Sequence, residues 1–176
     1  MKLYVARHGQ TEWNIQNRVC GISDVELTPE GERQAEALAE VVRGYPADLI
    51  ITSPLRRAVR TGEIIAAACG LPLRTEEALI EQNYGIYEGV DRSDPAYQSG
   101  KREFAHRPPE GESILQMVHR VYRLLDGLKG ECPDKNILLI THGGVCRVIN
   151  SYFYDMTTES FFSYTLQNGT LKEYEL

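Results

Sequence analysis

The sequence predicts an α/β fold, a three-layer α/β/α sandwich with a mostly parallel central sheet and an antiparallel edge near the C-terminus. Three observations lead to this prediction. Short apolar runs alternate with amphipathic stretches, the main runs end in polar loops, and new helix patterns start soon afterwards. At 176 residues the chain has the usual size of one domain, so we predict a single domain over residues 1–176.

Four short apolar runs and one turn motif predict the strands. The runs cover residues 2–6, 48–52, 71–74 and 136–140. Near the C-terminus, Asn168-Gly169 separates two further β-rich stretches, and this dipeptide is typical of a two-residue hairpin turn. We therefore expect residues 164–166 and 170–174 to form antiparallel strands at the sheet edge.

Capping residues and proline mark the starts of the predicted helices. Thr28 precedes Pro29, Ser53 precedes Pro54, and Ser113 precedes a long stripe of apolar residues at helical spacing. Between the last two starts, residues 81–91 form a loop rich in glycine and tyrosine. The expected helices run from Thr28 to Gly44, from Ser53 to about Cys69, from Ser113 to Lys129 and from Gly143 to about Tyr154.

The composition restricts the classes of partner. The net charge is −6 and the pI is about 5.3, which argues against a broad binding surface for nucleic acid or for an anionic membrane. The four cysteines are scattered without a C-x-x-C pair, and the first apolar run is too short for a secretory leader. We expect a cytoplasmic protein with reduced thiols, no metal and no cofactor. Whether it is a monomer or a homodimer stays open.

The ends of the predicted strands bring basic residues to one rim of the sheet. In open α/β sheets, ligands bind beyond the carboxyl ends of the strands. This rule gathers Arg7, His8, Ser53, Arg57 and His142. Two histidines and several arginines make a positive pocket, and guanidinium groups match phosphate oxygens. The expected ligand is therefore a phosphate ester on a small metabolite.

The same residues suggest nucleophilic catalysis. A neutral imidazole attacks through one nitrogen when a hydrogen bond from the other nitrogen fixes the tautomer, and His8 is the candidate. The leaving alkoxide needs a proton, which a carboxylic acid can supply. Glu81 is the first candidate for this acid, with Glu88 and Glu12 as weaker ones. For a lone histidine a satisfied core position is the simpler interpretation, but Arg7 beside His8 favours function.

Four motifs, in order, resemble those of one known family. The segments are R-H-G-Q-T-E-W-N at 7–14, S-P-L-R-R-A at 53–58, E-Q-N-Y-G-I-Y-E-G at 81–89 and T-H-G-G at 141–144. Together they are similar to the signatures of the histidine phosphatase superfamily, phosphoglycerate mutase-like branch. One such motif is weak support, whereas four in sequence over nearly the whole chain are strong.

The resemblance implies a role for each matching residue. His8 would be the phosphorylated nucleophile, with Arg7, Asn14, Arg57 and His142 binding the phosphoryl oxygens. Glu81 would protonate the leaving group and then activate water. The resemblance also implies a wider set of substrate-binding residues: Gln10, Cys20, Gly21, Ile22, Tyr84, Arg92 and Gly143.

Three functions stay open at this point. A phosphatase is preferred over a cofactor-dependent phosphoglycerate mutase, because family mutases carry a longer insertion after the acid motif. A binding module without turnover is the third possibility, although all the presumed catalytic positions are filled. The basic segment with Lys101, Arg102 and Arg107 is interpreted as a solvated face, with contact to the leaving group as the alternative.

Overall fold

A five-stranded mixed sheet forms the centre of the protein, and a computed structural model describes all residues, 1–176. The strand order is β3-β2-β4-β1-β5. The first four strands pair in parallel with their neighbours, whereas β5 pairs antiparallel with β1 at the sheet edge. The predicted fold class is thus confirmed. The strands are β1 (Lys2–Arg7), β2 (Leu49–Thr52), β3 (Leu73–Thr75), β4 (Ile137–Thr141) and β5 (Leu171–Glu175).

Seven helices and two single 3₁₀ turns connect the strands. The 3₁₀ turns cover Glu77–Leu79 and Gly85–Tyr87. None of the helices combines the length and the apolar composition that crossing a bilayer requires. The helices are α1 (Glu12–Ile15), α2 (Pro29–Val42), α3 (Arg56–Cys69), α4 (Pro95–Gly100), α5 (Ile114–Glu131), α6 (Gly143–Phe153) and α7 (Thr158–Ser163).

The central strands are buried on both faces, which explains their continuous apolar runs. Successive side chains point to opposite faces, so neighbouring residues of one strand enter different cores. On β1, Tyr4 packs into the core beneath α2 and α3, while Leu3 and Val5 pack into the core beneath α5 and α6. The two cores fix the sheet between two helical layers.

Two of the three predicted helix N-caps are confirmed, and the third is wrong. Thr28 and Ser113 both accept a backbone N–H as helix N-caps, as expected. Ser53 is not a cap, because α3 begins three residues later with Leu55 at its N-cap position and no side-chain capping bond. The Ser53 hydroxyl is instead hydrogen bonded to Nε2 of His142 at 2.7 Å.

The predicted C-terminal hairpin is wrong in its first strand. Residues 164–166 form no strand, and only β5 joins the sheet. Gly169 lies in a turn with a φ of 69°, but this turn contacts the end of β1. Its N–H donates to the Arg7 carbonyl at 3.3 Å, and Asn168 Nδ2 donates to the His8 carbonyl at 2.7 Å. This segment therefore bonds to the end of β1 instead of pairing as a hairpin strand.

Candidate active site

The two histidines lie side by side because β1 and β4 are adjacent parallel strands in matched register. Arg7 pairs with Thr141 at the last position of the two strands. The next residues, His8 and His142, therefore leave the sheet together, and their ring centroids lie 5.0 Å apart. Both side chains are buried. The ends of β1 and β4 thus converge as predicted and bring the two imidazole rings together.

His8 is held as a neutral imidazole with one nitrogen unprotonated. Its Nδ1 lies 2.7 Å from the Gly9 carbonyl oxygen, which can only accept, so Nδ1 carries the proton. The lone pair of Nε2 is then available, and it accepts a hydrogen bond from Arg57 Nε at 3.3 Å. Burial, followed by the charges of Arg57 and Arg7, holds the pKa of His8 well below its usual value of 6.5.

Arg57 connects His8 to a neighbouring loop. Its side chain is only 1% exposed, on the first turn of α3. Besides the bond to His8, Nη2 donates to the Gly21 carbonyl at 2.7 Å and Nη1 donates to the Ser23 carbonyl at 2.8 Å. The guanidinium therefore fixes the position of the loop relative to the imidazole.

Two buried nitrogens beside His8 have no hydrogen-bond partner in the protein. They are Nε of Arg7 and Nδ1 of His142. Burial and nearby positive charge, that of Arg57 first, lower the pKa of His142 well below 6.5. Leaving a buried polar group unpaired costs about 1–3 kcal/mol. An oxygen atom of a bound phosphoryl group would satisfy Nε of Arg7, which lines the cavity.

The buried carboxylate of Glu81 is fixed by two backbone N–H groups. Oε1 accepts from Gln82 N at 2.9 Å, and Oε2 accepts from Gly144 N at 2.8 Å, at the start of α6. A Cβ atom at position 144 would collide with Oε1, so the carboxylate holds this position only beside a glycine and would have to shift for a larger residue. Arg120 supports the segment by donating to the Ala78 and Glu81 carbonyls. Glu81 thus faces the cavity in a fixed orientation.

The two weaker acid candidates occupy different places. Glu12 is exposed on α1. Glu88 accepts hydrogen bonds from the backbone N–H groups of residues 21–23 and of Tyr84, and also from the Ser23 hydroxyl at 2.6 Å. We call residues 21–23 the Arg57 loop. Glu88 therefore orders the loop whose carbonyl groups hold Arg57.

A cavity of about 340 Å³ opens above His8. Arg7, His8, Asn14 and Glu81 are among its lining residues, whereas Arg57 and His142 are not part of the lining. Asn14 uses Oδ1 to accept the Thr11 N–H in a capping box, which leaves its NH₂ group without a protein acceptor. Five cations line the cavity: Arg7, Arg92, Lys101, Arg102 and Arg147.

The residues predicted from the resemblance to bind substrate divide into two groups. Cys20, Tyr84, Arg92 and Gly143 line the cavity. Three others lie outside its wall, so the structure does not bring them to the site. The backbone N–H and the side chain of Gln10 bond to Gln34 and Thr28, and the N–H groups of Gly21 and Ile22 point to Glu88.

The outer part of the cavity contains basic residues beyond the predicted site residues. Lys101 and Arg102, interpreted from the sequence as a solvated face with contact to the leaving group as the alternative, line the cavity. Arg107 lies outside its wall and donates to the Gly111 carbonyl. Arg147 was missed, although it follows Gly143 by one helical turn and so faces the same side of α6. Aromatic residues of α7, including Phe161 and Phe162, complete the wall. Nowhere do three or more His, Cys, Asp or Glu side chains cluster in a way that could hold a metal ion.

Comparison with known proteins finds one matching family model and relatives that are named as a mutase or as a phosphatase. A model of the histidine phosphatase superfamily (branch 1) matches residues 3–176. The 2,3-bisphosphoglycerate-dependent phosphoglycerate mutase of Cytophaga hutchinsonii is 35% identical over 184 residues, covering 98% of this chain and 86% of the mutase. The uncharacterized phosphatase PhoE of Bacillus subtilis is 34% identical over 145 residues, covering 82% of this chain and 73% of that protein.

Solved structures with the same fold include named phosphatases. A mycobacterial glucosyl-3-phosphoglycerate phosphatase in complex with VO₃ superposes with a TM-score of 0.87 and 28% identity, covering 98% of this chain and 90% of that one. A putative α-ribazole-5′-P phosphatase from Escherichia coli gives a TM-score of 0.87 and 27% identity, with coverages of 98% and 89%.

Proposed function

Because the chain belongs to branch 1 of the histidine phosphatase superfamily, we propose that it is a metal-independent phosphatase of a small phosphorylated metabolite. The observation that carries the proposal is the state of His8. Its imidazole is buried and neutral, its tautomer is fixed by the Gly9 carbonyl, and its unprotonated Nε2 accepts a hydrogen bond from the Arg57 guanidinium.

In the first step Nε2 of His8 attacks phosphorus, and the bond between phosphorus and the ester oxygen breaks. Glu81 gives its proton to the departing oxygen, so the alcohol leaves neutral. The positive charges of Arg7 and Arg57 stabilise the charge on the transferred oxygens. The Gly9 carbonyl keeps the proton on Nδ1 while the imidazole carries the phosphoryl group.

In the second step a water molecule attacks the phosphorus of phosphohistidine. Glu81, now a carboxylate, removes a proton from this water, and the bond between phosphorus and Nε2 of His8 breaks. Phosphate is released and the neutral imidazole is restored. Because Glu81 accepts the proton in this step after donating one in the first, its protonation state is also restored.

Phosphoglycerate mutase is the second candidate, and the 35% identity to the Cytophaga hutchinsonii mutase favours it. In a mutase, phosphohistidine returns its group to a hydroxyl of the substrate rather than to water. Hydrolysis is supported by the phosphatase names among the structural relatives. Both candidates use the same first step and differ in the acceptor.

A rapid-quench experiment separates these possibilities. The protein is mixed with ³²P-labelled 3-phosphoglycerate or glycerol 3-phosphate, quenched in alkali, and examined for acid-labile label on His8. We expect transient labelling followed by release of inorganic phosphate. His8→Ala should lose both labelling and turnover, whereas the exposed His119→Ala should keep both. Return of label to the glycerate hydroxyl faster than to water would reject the phosphatase. Undiminished turnover without label would reject phosphohistidine.

A further inference from the structure

The segment that carries Glu81 has no strand or helix of its own to hold it. His8 and His142 follow the ends of β1 and β4, whereas Glu81 lies in an irregular stretch between the 3₁₀ turns Glu77–Leu79 and Gly85–Tyr87. Buried backbone groups outside regular structure still need hydrogen-bond partners. For this stretch, several of these partners come from residue 112 and from α5.

A bidentate ion pair between Arg120 and Glu112 binds this segment. Nε of Arg120 donates to Oε1 of Glu112 at 2.8 Å, and Nη2 donates to Oε2 at 3.0 Å. The same guanidinium also reaches the segment itself, with Nη1 donating to the Ala78 carbonyl at 2.6 Å and Nη2 to the Glu81 carbonyl at 3.3 Å. Arg120 therefore holds the chain at Glu81 and three residues before it.

Glu112 holds the same segment on the C-terminal side of Glu81. Its carboxylate Oε2 accepts the N–H of Asn83 at 3.3 Å, and its own N–H donates to the Asn83 carbonyl at 2.8 Å. The Glu112 carbonyl accepts from Nε2 of Gln82 at 2.9 Å. The pair thus fixes residues 78–83, with Glu81 inside this span.

The pair is more buried than the other ion pairs of the protein. The side chains of Arg120 and Glu112 are 23% and 18% exposed, whereas every other salt bridge has at least one side chain that is 38% exposed or more. Neither residue belongs to the lining of the cavity above His8. Any effect of the pair on the reaction must therefore pass through the segment that it holds.

We propose that Arg120 and Glu112 are positioning residues for the carboxyl group of Glu81. The inference rests on the proposed function, in which Glu81 protonates the departing alcohol. A misplacement of about 1 Å can lower a rate about 10²-fold. A lysine at position 120 keeps the charge but cannot bond to Glu112 and two carbonyl groups at once, because its donors are at a single atom.

Leaving groups of different basicity separate positioning of the acid from a general loss of structure. Glycerol 3-phosphate needs a proton on its departing oxygen, whereas p-nitrophenyl phosphate releases a stable anion. We expect Arg120→Lys to lower single-turnover alcohol release from glycerol 3-phosphate about 10–10²-fold, and that of p-nitrophenol at most about threefold. Arg123→Lys, at an exposed position of α5, should change neither rate. Glu112→Gln should show the same selective loss and takes the place of Arg120→Lys if that variant does not fold.

The Glu81→Gln background tests whether the effect passes through the acid. Once the acid is removed, Arg120→Lys should no longer change the ratio of the two rates, because the effects of coupled residues are not additive. Equal losses for the two esters in Arg120→Lys, or the same selective loss in the Glu81→Gln background, overturn the inference while hydrolysis stands. If Glu81→Gln itself lowers both rates equally, the assignment of the acid in the proposed function fails, and the inference fails with it.

A crystal structure of Arg120→Lys gives a readout that does not depend on activity. We expect the 2.8 Å hydrogen bond between Gly144 N and Oε2 of Glu81 to be lost. A carboxylate that keeps this bond overturns the inference. If neither ester releases its alcohol, the proposed phosphatase fails, and the fate of this bond alone decides on the positioning pair.

Discussion

The guanidinium of Arg57 donates from Nε to Nε2 of His8, 3.3 Å away, and its two other nitrogens hold the Gly21 and Ser23 carbonyl groups. One side chain therefore fixes both the orientation of the His8 imidazole and the position of the loop beside it. Because Arg57 is almost fully buried, its charge acts in a medium of low polarity. There it adds to the effect of burial in lowering the pKa of His8, and in the proposed mechanism it stabilises the transferred phosphoryl group.

Replacing Arg57 by lysine should impair catalysis although the positive charge is kept. A lysine cannot reach His8 and two carbonyl groups at once, because its donors are at a single atom. We expect Arg57→Lys to lower kcat about 10²–10³-fold, the range seen when a preorganised donor at a reacting anion is lost. The neighbouring Arg56 is exposed and pairs with Glu26, so Arg56→Lys is the control and should keep kcat. Equal losses in the two variants would contradict the role of Arg57.

Replacing Glu81 by glutamine should affect esters according to their leaving groups. The amide of Glu81→Gln cannot donate an acidic proton, so we expect a loss of about 10²–10⁴-fold in kcat for an alkyl ester such as glycerol 3-phosphate. The loss of phosphorylation rate should be smaller for p-nitrophenyl phosphate, since its leaving group departs as a stable anion. Single-turnover rates of alcohol release measure this difference.

The supporting experiment is Gly144→Ala, whose Cβ would collide with Oε1 of Glu81. Displacement of the carboxylate should reproduce part of the Glu81→Gln effect, again more strongly for the alkyl ester. If both variants lowered the two rates equally, Glu81 would not be the proton donor.

Glu88 should affect activity through the Arg57 loop rather than by direct contact with the substrate. Its two oxygens accept from four backbone N–H groups and one hydroxyl. The amide of Glu88→Gln presents two donors where Oε1 or Oε2 accepted, which leaves N–H groups unpaired. We expect a loss of about 1–3 kcal/mol in unfolding free energy, measured by urea denaturation, together with a lower kcat. Glu12→Gln, at an exposed position of α1, should change neither.

The fold could be predicted because the sequence features that mark its strands and helices are local. Apolar runs that stop in polar loops mark strands, and the runs now known as β1, β2 and β4 were identified within one residue of their observed ends. The errors arose where a tertiary contact overrides a local preference. Serine is a typical helix N-cap residue, but Ser53 is hydrogen bonded to His142 instead. The turn at Gly169 contacts Arg7 and does not close a hairpin.

The inner part of the candidate site could be predicted from the sequence, whereas the outer part could not. His8, Arg57 and His142 follow strands that lie next to each other, so the topology itself brings them together. Arg102 and Arg147 carry no comparable signal, because their approach depends on how α7 places Phe162 between them. Packing of this kind has no short sequence pattern.

Folding stability should fall on acidification below about pH 6.5 because two histidines are buried without charge. In the unfolded chain each imidazole takes up a proton near its ordinary pKa of 6.5, whereas burial holds the pKa of His8 and His142 well below that value in the folded protein. Below pH 6.5 the unfolded state therefore binds more protons, and stability rises with pH. The stabilisation is complete above pH 6.5 and is lost as the pH falls toward the lowered folded pKa values.

Each buried histidine can contribute a slope of at most about 1.4 kcal/mol per pH unit in this window. Urea denaturation between pH 7.5 and 5.5 measures the slope. His142→Gln removes one titrating group while keeping a side chain that can hydrogen bond to the Ser53 hydroxyl, so its slope should be smaller than that of the wild type. His119 is exposed on α5, and His119→Gln should keep the wild-type slope. A slope unchanged in His142→Gln would mean that His142 takes up its proton in the folded protein as readily as in the unfolded chain.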